Sequence, residues 1–143
     1  MTVQEFLCRP NMLQQEIERK RRRIDFLRRQ AERLTRLLQD VRIRSSPDPA
    51  LMQALLAEAA DEEQEIFRLE EERKQALVGI MLAISLVPDA RHARLLELRY
   101  LDGAGWSEIA EYLFCGTDWV YKLHRAALES LPLPPEDPEE SGG

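Results

Sequence analysis

Ile17, Ile24, Leu27, Ala31, Leu34, Leu38 and Val41 recur at alternating steps of three and four, interrupted only where Lys20 falls on the stripe. A repeat of about 3.5 residues aligns these side chains along one seam of a helix, as in a coiled coil. It predicts a helix from about Pro10 to Arg44. Pro10 suits the first turn, where its missing N–H has no intrahelical acceptor to lose. Residues 45–49, Ser-Ser-Pro-Asp-Pro, then break the helix, because each proline removes a donor and restricts the residue before it. A second stripe of Leu51, Leu55, Ala59, Ile66, Leu69, Ala76, Ile80 and Ala83 or Ile84 predicts a second helix. It starts at Asp48 or Pro49 and runs to about Val87, and it packs least well over 58–65, where apolar residues thin out. Residues 10–87 therefore read as a long antiparallel helical hairpin, coiled-coil-like, with its break at 45–49.

Charge supports the pairing. Residues 9–44 carry twelve Lys/Arg against five Asp/Glu, whereas 48–75 carry three against nine. Opposite charges flanking a shared seam select the partner more than they add stability, because exposed pairs are worth only about 0.2–1 kcal/mol each. The run Arg19-Lys20-Arg21-Arg22-Arg23 has two readings: a solvated face answering the acidic helix, or a stripe that contacts phosphate. Five consecutive positions wrap the helix, so some of these charges point away from the partner.

The whole chain has a net charge of −6, 32% charged residues, 44% hydrophobic residues and 6% aromatics. That balance suits an all-α protein with long solvated faces and a small aromatic content. Cys8 and Cys115 stand far apart with no CxxC or HxxxH partner, so two reduced thiols are expected and neither a disulfide nor a metal site. The N-terminus has no basic region followed by an apolar one, so no signal peptide is expected. The most apolar stretch, 76–87, spans about 18 Å as a helix, against about 30 Å for a bilayer core. A soluble, cytoplasmic protein with no membrane contact is the expectation.

After Pro88 the pattern changes. Asp89 is a favourable N-cap for a third helix carrying Ala93, Leu95, Leu96, Leu98, Tyr100 and Leu101, and Gly103 after Asp102 is placed to stop it with positive φ. From Gly105 the chain reads GWSEIAEYLFCGTDWVYKLHRAALESL. A helix-turn-helix needs a small residue where two short helices approach closely, surrounded by apolar ones. Ala110 is that residue, with Ile109 and Leu113 on the first helix, Cys115 in the turn, and Val120 and Leu123 on the second. The position four after the alanine, where the turn takes positive φ, holds Phe114 in place of glycine, at a cost of about 1 kcal/mol or more. Gly116 is the expected substitute, in a shifted or longer turn, with Gly116 or Thr117 capping the second helix. Residues 88–131 thus form a small helix-turn-helix domain, and the proline-rich acidic tail at 132–143 reads as disordered.

The run LLELRYLDGAGWSEIAEYL and the later VYKLHRAALESL resemble phage-encoded regulators that carry a sigma factor region 4-like domain after an N-terminal helical region. Arg99-Tyr100-Leu101, Trp106, Ile109-Ala110, Val120-Tyr121, Leu123-His124 and Ala127-Leu128 carry the likeness. It covers about the last third of the folded chain; the hairpin agrees only in general layout. The resemblance implies transcription regulation of the phage late-gene activator type, by DNA binding in a bacterial cell.

The residues themselves place Thr117, Asp118, Tyr121, Lys122 and Arg125 on the outer face of the second helix, where a recognition helix meets the major groove. Tyr121 suits a phosphate, and Lys122 and Arg125 suit phosphate or guanine. Asp118 either accepts from a cytosine amino group or stabilises its own helix N-terminus. Trp119 either meets a thymine methyl or packs on the hairpin. Arg91, Arg94 and Arg99 are candidates for the DNA backbone, and His124 reads as a structural histidine.

The segment 89–131 carries five Lys/Arg against seven Asp/Glu, too few positive charges to neutralise phosphates by itself. Either Lys122, Arg125, Arg91, Arg94 and Arg99 cluster on one face, or the basic first helix adds contacts, or a homodimer joined through the hairpin or RNA polymerase alongside sums weak contacts through effective concentration. The last two together are the expectation. Two other functions fit the same pattern: a sigma-like adaptor that binds RNA polymerase without reading DNA, and a small-terminase-like DNA-packaging subunit. With no glycine-rich phosphate loop, no ligand cluster and only His92 and His124 available, neither an enzyme nor a cofactor is expected.

Overall fold

The computed structural model describes residues 1–40 and 49–133. The expected break at 45–49 falls on or beside the undescribed segment, and nearly all of the expected disordered tail lies outside the described residues. Among the described residues the chain is all-helical, with α1 at Val3–Asp40, α2 at Pro49–Ser85, α3 at Ala90–Leu96, α4 at Trp106–Leu113 and α5 at Thr117–Ser130. None of these helices is long and apolar enough to cross a membrane.

Helix α1 starts earlier than its proline suggests. Thr2 Oγ1 accepts from the Glu5 amide at 3.1 Å while the Glu5 carboxylate accepts from the Thr2 amide at 3.1 Å. This reciprocal capping box satisfies two otherwise unpaired donors and fixes the helix start. Pro10 consequently lies inside the helix, where it has no N–H to give the carbonyl of Phe6.

The chain divides into two compact units, one of 1–10 with 74–143 and one of Asn11–Arg73. The division does not fall at 87/88. Ile80, Ile84 and Val87, at the end of α2, share a core with Phe6, Leu95, Leu96, Ile109, Val120 and Ala127.

Within the second unit, Leu13, Ile17, Ile24 and Leu27 of α1 pack on Ala59, Ile66 and Leu69 of α2, the seam that the three-four spacing predicts. Leu51, expected on the stripe, is instead exposed. Ion pairs line both edges of the seam. Lys20 reaches Glu62 at 3.1 Å and Arg23 reaches Glu58 at 2.8 Å; Arg21 reaches Glu70 at 2.7 Å, and Arg28 pairs with Glu63. On each edge the α1 number rises as the α2 number falls, so the helices run antiparallel. Lys20, which interrupts the apolar stripe, is the half-buried member of this set. Three of the acids come from 58–65, so the stretch poorest in apolar residues is held partly by charge.

In the first unit, Asp89 caps α3 by accepting from the amides of Arg91 at 2.8 Å and His92 at 3.2 Å. These two bonds hold its carboxyl below the usual carboxylate range. Beyond Leu96 the helix widens into a π turn at Glu97–Leu101, closed by the Asp102 amide on the Glu97 carbonyl at 3.0 Å. Gly103, at φ +73°, then reverses the chain as its sequence position predicts.

The turn between α4 and α5 corrects an expectation. Phe114 itself adopts the left-handed conformation (φ 56°, ψ 46°), while Gly116 is extended and caps α5. The amide of Cys115 bonds the Ala110 carbonyl at 3.0 Å and that of Phe114 bonds the Glu111 carbonyl at 3.2 Å. This is a Schellman closure, which demands positive φ one residue before Cys115, whatever occupies that position. Gly116 stands two residues too late to serve. Phe114 is 95% exposed, so its ring gives little packing in return. Left-handed backbone costs about 1–2 kcal/mol for a residue with Cβ, partly offset because glycine loses about 0.4–1 kcal/mol more chain entropy. Phe114→Gly is therefore expected to stabilise the fold by about 0.5–1 kcal/mol in a denaturant titration.

Candidate nucleic-acid interface

Helix α5 owes its orientation to its buried side. Val120 and Ala127 are fully buried in the first unit's core, with Leu123 and Leu128 packed beside them. At about 100° per residue Asp118, Lys122 and Arg125 fall on the opposite side, with Tyr121 beside them and Thr117 at the flank, about 60° from Val120; all five are exposed. They share an arc of about 140°, and four of them lie within the first six residues of the helix.

An aromatic group holds that face in place. Trp106, first residue of α4, lies 5.3 Å from the ring of Tyr121 and meets His124 edge-on at 4.7 Å. The Tyr100 hydroxyl is 2.6 Å from His124 Nε2, and the two rings stack at 5.9 Å. Burial lowers the His124 pKa and raises that of Tyr100. A neutral imidazole accepting from a neutral phenol satisfies both groups, the structural role expected of this histidine. Tyr121 thus packs its ring against Trp106 at a tilt of 57° while remaining about half exposed. Trp119 is 48% exposed, with the Lys122 ammonium 5.9 Å from its ring centroid.

The three arginines expected at the DNA backbone have intramolecular roles. Arg91 donates to the Leu113 carbonyl at 3.3 Å, supporting the C-terminal end of α4. Arg94 bonds Glu97 at 2.8 Å and the Tyr112 hydroxyl at 2.7 Å, with its guanidinium over the Tyr112 ring. Arg99 donates to the Ala104 carbonyl at 3.1 Å and lies 4.2 Å from the Trp106 ring centroid. Arg99 shares the Trp106 ring with Tyr121, which stands 5.3 Å from it, so one of the three is linked to the α5 face through that ring. Glu97 is at helical spacing from Arg94, but Leu113, Tyr112 and Ala104 lie 22, 18 and 5 positions from their arginines, beyond the reach of helical spacing as a guide.

Phe114 was singled out by the sequence as a misfit of the turn, not as a surface feature. The signal for its exposure was its place just past the last core residue of α4, where no periodic position remains to bury it. Among the described residues no group of three or more His, Cys, Asp or Glu could hold a metal. Compared with protein-family models, curated proteins and solved structures, the chain matches none.

Proposed function

We propose that the chain is a sequence-specific DNA-binding regulator of transcription, phage or prophage encoded and acting near RNA polymerase. In this reading α4, its turn and α5 are a helix-turn-helix of sigma factor region 4 type, with α5 as the recognition helix. The observation that carries it is the sidedness of α5. Asp118, Tyr121, Lys122 and Arg125 are exposed together, with Thr117 exposed at their flank, while Val120 and Ala127 are buried on the other side. Exposed polar and basic residues near the N-terminus of a helix backed by a rigid core are what base-edge contacts in a major groove require.

Lys122 and Arg125 supply positive charge and guanine-directed donors, and Tyr121 supplies a hydroxyl steadied by Trp106. Asp118 accepts from a cytosine amino group or offsets the positive helix end. A homodimer joined through the hairpin would add a second α5; Phe67, exposed on α2, is a candidate contact. The exposed Phe114 favours a second reading, in which the same unit contacts RNA polymerase and does not read DNA.

Selection of bound duplexes from a random pool at low salt separates the two. A regulator enriches a short motif, or two half-sites if it is dimeric, whereas an adaptor enriches nothing.

A further inference from the structure

The structure divides the arginines of α1 between residues 19 and 36 into two sets. Arg21, Arg23 and Arg28, with Lys20, are consumed by acids of α2. Arg19, Arg22, Arg29, Arg33 and Arg36 are all exposed and pair with no acid among the described residues; Arg29 makes a 3.3 Å bond to the Asp25 carbonyl of its own helix. At about 100° per residue these five fall within an arc of about 100°, centred on the side of α1 opposite the seam. Glu18 and Asp40 stand at the two ends of the stripe and Asp25 at its margin, so its centre is positive. The stripe extends about 26 Å along the helix.

We propose that this stripe is a second nucleic-acid surface, tracking the phosphate backbone of duplex DNA without reading sequence. It builds on the DNA-binding reading of α5 but uses a different part of the chain. Like charges spaced three and four apart on a helix repel; Arg19 with Arg22, Arg29 with Arg33, and Arg33 with Arg36 are so spaced, while Glu18, Asp25 and Glu32, four residues before Arg22, Arg29 and Arg36, offset part of that repulsion. The complementary anion must be extended and regular. Duplex DNA offers one negative charge per about 1.7 Å of axis, and guanidinium groups suit phosphate oxygens well.

A second copy of this chain is a poorer match. Of the acids described in α2, Glu58, Glu62, Glu63 and Glu70 already serve α1, and Glu65 and Glu72 serve Arg68. Asp61 and Glu71 remain, too few for five arginines. The stripe also supplies the positive charge that the segment 89–131 lacks.

The test uses the full chain, a duplex carrying the selected motif, a scrambled duplex, and phosphatidylserine vesicles. Wild type is compared with Arg22→Gln/Arg29→Gln/Arg33→Gln, with the same three positions as lysine, and with Lys122→Ala/Arg125→Ala. The glutamine variant is expected to weaken binding to both duplexes by the same factor. It should also lower the slope of log affinity against log salt by about 2–3, at about 0.9 per phosphate contact. The lysine variant keeps the slope, and circular dichroism shows both variants folded. An unchanged slope in the folded glutamine variant overturns the proposal, as does wild-type binding to vesicles but not to duplex. If Lys122→Ala/Arg125→Ala changes nothing while the glutamine variant weakens the scrambled duplex, the stripe stands and the α5 reading falls. If wild type retains neither duplex at low salt, both fall.

Discussion

Alanine at both Lys122 and Arg125 is expected to abolish preferential retention of a selected duplex and to leave the thermal melt where it was. Both side chains are exposed on the outward face of α5. Among the described residues the ring contact they make is that of Lys122 over Trp119, at 5.9 Å, a contact worth about 0.5–1 kcal/mol at an exposed site. Alanine is also the best helix former, which offsets part of that loss. A good bidentate base contact is worth about 1–3 kcal/mol of discrimination. Losing two such contacts lowers affinity for the selected site by about a hundredfold or more. Competition binding measures the loss, and a circular-dichroism melt confirms the fold. Undiminished preference for the selected duplex would remove α5 from the recognition role.

The largest expected effect on stability is at Ile109. Its side chain is completely buried at the junction of α4 with the rest of the first unit's core. Ile109→Ala removes three carbons and leaves a cavity between rigid helices, at a cost of about 2–5 kcal/mol. Small domains have only about 5–15 kcal/mol in total, so the melting temperature should fall by roughly 10 °C or more. DNA retention should disappear with the fold on heating, not before. A melt displaced by only a degree or two would mean that α4 is not anchored as described.

The features legible in the sequence were those set by local chemistry and by period. The three-four spacing gave the seam of α1 and α2 because a buried stripe leaves a repeat. Asp89 and Gly103 announced a cap and a stop because each suits one backbone geometry. The outward set on α5 followed from the buried positions of Val120 and Ala127 at helical spacing.

What was not legible depended on partners distant in sequence or on closure geometry. The capping box of Thr2 and Glu5 was present, but Pro10 offered a competing start, and its tolerance inside α1 is a matter of packing. The π turn at 97–101 left no trace, since LELRYL fits an α or a π register equally well. At Phe114 side-chain preference pointed to Gly116, whereas the Schellman bonds to Ala110 and Glu111 fixed the left-handed position. The roles of Arg91, Arg94 and Arg99 were set by Leu113, Tyr112 and Trp106, on another helix. The division of the α1 arginines depended on which acids of α2 the hairpin register brought opposite them.

The central claim, that α5 reads base sequence, is tested most directly by the ratio of affinities for the selected and scrambled duplexes at one fixed, near-physiological salt concentration. Specific regulators exceed their own non-specific binding by about 10³-fold or more. A ratio of that order for the wild-type chain, collapsing toward one in Lys122→Ala/Arg125→Ala, is the predicted result. Equal affinity of the wild-type chain for the two duplexes would contradict it.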